Sequence, residues 1–151
     1  MPNTAALTNS FKTELMLGIH NFGAGVIRAG TGADSFKGAL YLASATLNNS
    51  TTVYAVTGEV VGTNYTAGGV AVTNGTVPSL SVNTAVWTPS GSLAWINVTL
   101  ATAFDTLLLY NSTQANRAVG VYTFGAQTIT AGNFTLTMPV NDSANALVRI
   151  A

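Results

Sequence analysis

The sequence predicts an all-β chain: a single β-sandwich, jelly-roll or Ig-like, of about eight or nine short antiparallel strands with a short N-terminal helix. Three observations lead there. The chain is 48% hydrophobic but only 7% charged, and its polar residues are mostly Thr, Asn and Ser. Thr is β-branched and favours strands. Turn-forming clusters recur at short intervals, and no linker or fixed-period repeat divides the 151 residues. A chain of this length buries roughly 70% of its unfolded surface as one domain. Residues 1–32 read as a helix and arm belonging to that domain, and residues 33–151 as the sandwich.

The helix is expected between Thr8 and Gly18. Thr8 or Ser10 can cap its first turn, Phe11 and Leu15 share a face, and Gly18 suits the C-terminal stop. A helix this short persists only if it docks. His20 to Gly32, with several glycines, reads as a strand or arm between loops. Phe36 to Ala43 is almost continuously apolar and fits a strand buried on both faces. Val53 to Val61 is ambiguous, and Gly68 to Thr73 is a better strand. Leu80 to Trp87 comes next, closed by the turn Thr88-Pro89-Ser90-Gly91. Leu93 to Leu100 and Phe104 to Tyr110 follow, then a hairpin loop over Asn111 to Asn116. In Ala118 to Phe124, Val119 and Val121 alternate against Ala118, Gly120 and Tyr122. Gln127 to Thr130 and Phe134 to Met138 read as a hairpin around the loop Ala131-Gly132-Asn133. Leu147 to Ile150 is a last strand.

Charge narrows the function. Lys12, Arg28, Lys37, Arg117 and Arg149 are scattered and balanced by five acids. Nucleic-acid binding needs clustered Lys and Arg, so no nucleic-acid partner is expected. Apolar runs fall short of the roughly 18 residues of a membrane span. The start of the chain lacks the basic and apolar regions of a secretory leader. A soluble, neutral, single-domain protein is the expectation. Without cysteine, disulfide scaffolds and thiolate metal sites are excluded.

Catalytic signals are sparse, and no catalytic residue, cofactor or metal is predicted. His20 is the only histidine, and alone it offers no metal-ligand spacing. Asp34, Asp105 and Asp142 adjoin turn residues and read as turn formers. Gly23-Ala24-Gly25-Val26-Ile27-Arg28 begins like a dinucleotide fingerprint, but Arg28 replaces the third glycine and no βαβ context follows. Gly32 to Gly38 places Lys37 near glycines without the phosphate-loop spacing. Asn64, Asn74, Asn97, Asn111 and Asn133 head sequons that chance explains in a chain rich in Asn and Thr. Trp87 and Trp95 flank the Pro89 turn and suit either a sugar-stacking platform or core packing, the plainer reading.

Several phrases nevertheless have a family look. Asn9-Ser10-Phe11-Lys12-Thr13-Glu14-Leu15, followed by His20-Asn21-Phe22, resembles the start of a family of small bacteriophage virion structural proteins. Asp34 to Tyr41, Tyr65 to Gly69, Leu109 to Thr113 and the ending Asn145 to Ala151 resemble it too. The likeness covers most of the chain, is weakest from about Gly75 to Leu100, and is closest to capsid decoration (cement) proteins of tailed phages of aquatic bacteria.

That resemblance implies a β-sandwich bound in many copies to the outer surface of the major capsid protein lattice, stabilising the head. The implied partners are the major capsid protein and the chain itself, as a homo-dimer or homo-trimer. The implied location is the capsid surface of a virion assembled in the host cytoplasm. Phe11, Leu15, Phe22, Trp87 and Trp95 are the expected interaction residues, because large apolar side chains need burial somewhere. Rival expectations are another virion component (head–tail junction, tail or fibre) and a carbohydrate-binding module. An enzyme becomes relevant only if a pocket unites His20 with Asp or Glu.

Overall fold

Phe36 to Leu42 and the segments either side of Asn111 are apolar on both alternating faces, so they stack as the middle of a sheet covered on both sides. The computed structural model describes residues 3–16, 18–23 and 32–151. The elements are β1 (Ala6–Leu7), α1 (Asn9–Met16), β2 (Phe36–Leu42), β3 (Val70–Ala71), β4 (Ser79–Ser81), β5 (Thr84–Trp87), β6 (Leu93–Asn111), β7 (Arg117–Leu136) and β8 (Val148–Ile150). The strands form a five-stranded sheet of order β1-β7-β6-β2-β3 and a three-stranded sheet of order β4-β5-β8. Every strand pairing is antiparallel. The predicted all-β, two-sheet class with an N-terminal helix is the one that forms. The glycine-rich stretch 23–28 lies, beyond Gly23, outside the described residues, as does most of the predicted arm.

One face of the large sheet presents Phe36, Leu40, Leu107 and Leu109 to the main core, which also holds Trp87 and Val148 of the small sheet. The other face carries Ala39, Tyr41, Leu108, Tyr110, Ala118 and Val121, covered by Leu47 and Tyr54 of the long loop after β2. Burial of β2 on both faces matches its continuous apolarity.

The strands are not all short: β6 has 19 residues and β7 has 20. The predicted hairpin around Ala131-Gly132-Asn133 does not form; residues 127–136 continue along β7 beside β6, where Phe134 pairs with Trp95 and Leu136 with Leu93. The turn chemistry is absorbed by irregularities in the ladder instead. Ala131 takes φ 46° and Asn97 φ 53°. The Ala131 N–H donates to Thr99 Oγ1 at 3.0 Å, and the Asn97 N–H donates to Asn133 Oδ1 at 2.8 Å. A second irregularity corrects the alternation at Val119. Leu109 pairs with Gly120 and Tyr110 with Ala118, so Val119 is an extra residue. That insertion turns Val119 into the main core while Val121 joins the opposite cluster. Leu80 to Trp87 is two strands rather than one, turned at Val82 with φ 57°. Val53 to Val61 forms no strand and makes only isolated bridges, at Val53 and Glu59.

The long strands let one hairpin supply both layers. A Cβ on Gly38 would lie 2.7 Å from Leu93 Cδ1 and 2.9 Å from Leu107 Cδ1. Leu93 and Leu107 belong to the same strand, and a straight strand would hold them roughly 46 Å apart. The strand therefore bends back over its own sheet. Register shifts recur between Trp95 and Thr106, within the span that must bend, as expected of bulged strands. Phe104 inside the bend meets Phe134 edge-on at 5.0 Å, and the folded-over half closes the core.

The helix is set by its ends. Thr8 Oγ1 accepts the Phe11 N–H at 3.3 Å, which settles the cap on Thr8 rather than Ser10, the two that the sequence offered. At the other end Gly18 takes φ 67°, its N–H reaches Leu15 O, and the Ile19 N–H reaches Glu14 O. This is a Schellman stop. The Thr8 hydroxyl also donates to Ala118 O, seating the helix on β7.

Candidate interaction surface

A sequence poor in charge must choose where to place the few charges it has. Glu14 is buried at the helix, where Oε2 accepts from His20 Nε2 at 2.6 Å and Oε1 from Arg117 Nη1 at 2.6 Å. His20 Nδ1 faces Asn111 Nδ2 at 3.1 Å, and that same amide donates to Asp34 Oδ2 at 2.8 Å. Asn111 Oδ1 accepts the Thr113 and Gln114 N–H groups, which fixes the amide's orientation. His20 is therefore the Nε2–H tautomer. Burial pushes its pKa below the usual imidazole value, although Glu14 pulls the other way. Asp34 also accepts from the Asn21 N–H at 3.0 Å. The network ties the helix and the arm to the β6–β7 turn.

Sequence reasoning left His20 and the acids apart; the structure joins His20 with Glu14 and Asp34. Both ring nitrogens are engaged within the network, and His20 also lines the cavity beside it. Among the described residues no three His, Asp or Glu side chains converge as metal ligands. Asp142 does hold a turn, accepting from the Ala144 and Asn145 N–H groups. Asp105 instead accepts from Asn3 and Thr106 side chains.

Against this network lies a mostly apolar cavity of about 360 Å³, whose wall includes His20 itself together with Leu15, Phe22, Val77, Trp87 and Ile150. Phe22 builds its floor, stacked on Phe36 at 4.8 Å and tilted against Trp87 at 4.5 Å. Phe11 meets Phe22 edge-on at 5.9 Å. Gly23, with φ 79°, lets the backbone pass Val77, whose Cα would stand 2.7 Å from any Cβ there. Four of the five expected interaction residues thus gather here: Phe11, Leu15, Phe22 and Trp87. Trp95 lies apart, tilted against Phe134 at 5.7 Å.

Phe11, Phe22, Trp87 and Trp95 are all buried within the chain's own core. That leaves these four little surface for a neighbour, and neither indole offers an open face for a sugar. Leu15 alone is half-buried. What reaches solvent is a set of residues that sequence reasoning passed over. The small-sheet register aligns Leu80, Ala85 and Ile150 across three strands on the face carrying Trp87 and Val148. Trp87 and Val148 are covered, whereas Leu80 is 72% and Ile150 47% exposed. The apolar face of the small sheet overhangs the body, and the cavity opens beneath it. The available signal was alternation in the short Leu80 and Ile150 segments, too short to assign a face without the partner strand.

A second buried carboxylate holds the opposite side. Glu59 accepts from Tyr54 Oη at 2.6 Å, Tyr65 Oη at 2.8 Å and the Gly68 N–H at 2.7 Å. Tyr65 Oη in turn accepts the Leu40 N–H, and Tyr110 Oη donates to Gly68 O. This hub fastens the long loop across the large sheet.

The chain matches no protein-family model, no curated protein and no solved structure.

Proposed function

We propose that this chain is a virion structural subunit, a bacteriophage capsid decoration protein that seats on the outer surface of the major capsid protein lattice and associates with copies of itself to stabilise the head. The observation that carries this reading is the apolar overhang of Leu80, Ala85 and Ile150 running into the cavity beside Trp87. A surface of that kind on a chain with so few charges gains by being covered. The segment likeness to small phage virion proteins supports the same reading. All five acids, Glu14, Asp34, Glu59, Asp105 and Asp142, accept internal hydrogen bonds, and with only 7% of residues charged a contact between copies would rest mainly on apolar and neutral polar groups.

Purified chain added to capsids stripped of it occupies a fixed number of sites and raises their resistance to heat or osmotic shock. Failure to bind capsids overturns the proposal. A role at the head–tail junction, tail or fibre is distinguished by copy number in the virion: hundreds for a decoration protein, about a dozen or fewer for those positions. A carbohydrate-binding reading needs an exposed aromatic face, which Trp87 and Trp95 do not provide.

A further inference from the structure

Beyond its short pairing with β1 at Gly120 and Val121, β7 has β6 along one edge and, among the described residues, no strand along the other. Residues 123–136 therefore carry a long row of backbone groups facing outward. Sheet edges are usually protected by charged side chains, proline or brevity. Apart from the irregularity at Ala131, this edge is unprotected: residues 118–141 contain no charged residue, and the first proline, Pro139, lies past the strand. The side chains repeat the point. Phe124, Ile129, Phe134 and Leu136 pack against the core yet stay only half-buried, because no strand flanks them.

We propose that a second copy of this chain pairs its own β7 antiparallel across this edge about a two-fold axis, joining two large sheets into one. The inference rests on reading the chain as an assembly subunit. Its argument for self-pairing is electrostatic. In an isologous contact residues near the axis meet their own counterparts, so any charge there would face a like charge. An edge free of charge from residue 118 to residue 136 sets no like charges against each other across the axis. The half-buried row would be completed by the same row of the partner, with aromatic and β-branched side chains as cross-strand neighbours.

Sedimentation of the purified chain tests this without any capsid. The expected result is a species of twice the 15.4 kDa monomer mass. The double variant Ala126→Lys and Thr128→Lys weakens association roughly tenfold or more. Mixing it with Ala126→Glu and Thr128→Glu restores a mixed dimer, a recovery that misfolded variants cannot give. Hydrogen exchange on the wild-type chain provides a reading free of variants: amides in 123–136 gain protection as concentration rises. A wild-type monomer, a dimer indifferent to the lysine pair, or exchange unchanged with concentration overturns the proposal. A monomer that still binds capsids leaves the decoration reading intact; a dimer that does not bind them removes that reading alone.

Discussion

Leu93 and Leu107 sit fourteen residues apart on one strand and rest against the same backbone position, Gly38 of β2. Their convergence is the closure of the core, and the missing Cβ at Gly38 makes room for it. Gly38→Ala should overpack this point and cost about 1–3 kcal/mol in urea unfolding. Trimming one partner should recover part of the loss: the double variant with Leu93→Val is expected to be more stable than the two single effects summed. Simple additivity would refute the shared contact.

Acid should act first through His20. Its imidazole is held neutral by burial, whereas the unfolded chain takes up a proton near 6.5. The unfolded state binds more protons below that point, so stability present above about pH 6.5 falls as the pH drops towards the lowered folded value. His20 is the only histidine, which assigns the slope between the imidazole and carboxylate ranges to it. Urea melts of His20→Gln should lie lower at neutral pH but run flat through that window. Equal slopes in the two proteins would remove His20 as the cause.

Alkali should unfold the chain cooperatively. All five tyrosines, Tyr41, Tyr54, Tyr65, Tyr110 and Tyr122, have pKa values raised above 10.0, first of all by burial; Tyr110 is pushed up to about 12. Above pH 10 the unfolded state loses phenolic protons that the folded state keeps, and stability declines with rising pH. Tyrosinate absorbance and far-ultraviolet circular dichroism should therefore change together. Tyrosinate appearing while the dichroism stays native would contradict the burial.

The two tryptophans should differ. Trp87 Nε1–H donates to Thr76 O at 3.1 Å, whereas Trp95 Nε1 is buried without a partner among the described residues. Trp87→Phe leaves a carbonyl unpaired and should cost about 1 kcal/mol more than Trp95→Phe, which removes an already unpaired donor. Chemical denaturation of both variants compares them. Both indoles should emit at short wavelength and ignore added oligosaccharides.

Binding to capsids, on the proposed function, should depend little on salt. Only 7% of the residues are charged, which leaves few charges to screen at a contact surface. Binding isotherms at low and high ionic strength are expected to overlap, and a steep loss at high salt would point to ion pairing instead.

Composition and turn signals sufficed for the fold class, because a Thr-rich, apolar, charge-poor chain has few ways to bury itself other than as sheets. The helix and its Gly18 stop were legible, since such signals act locally, while the choice of Thr8 over Ser10 as cap was not. The continuity of β6 and β7 was not. Ala131-Gly132-Asn133 and Asn97 have the chemistry of turns, and only the presence of a partner strand makes them irregularities in a ladder. The buried carboxylates were equally hidden. Glu14 and Arg117 are far apart in sequence, and Glu59 gathers donors from Tyr54, Tyr65 and Gly68 across a stretch without periodicity. The exposed overhang required knowing that β4, β5 and β8 share a face.

The bent hairpin also sets an order of events in time. Its turn, closed by Asn111 and followed by Asn116 at φ 57°, joins strands adjacent in sequence, so pairing can start there and travel outward with little loop to close. The far ends, Leu93 and Leu136, meet last, and only then does the strand double over to seal the interior. Nascent chains should thus pass through a ribbon-like stage whose apolar face is open, and destabilising the turn should slow refolding more than altering the far ends does. Chains at high concentration would be most prone to clumping in that interval, before the hairpin has folded shut.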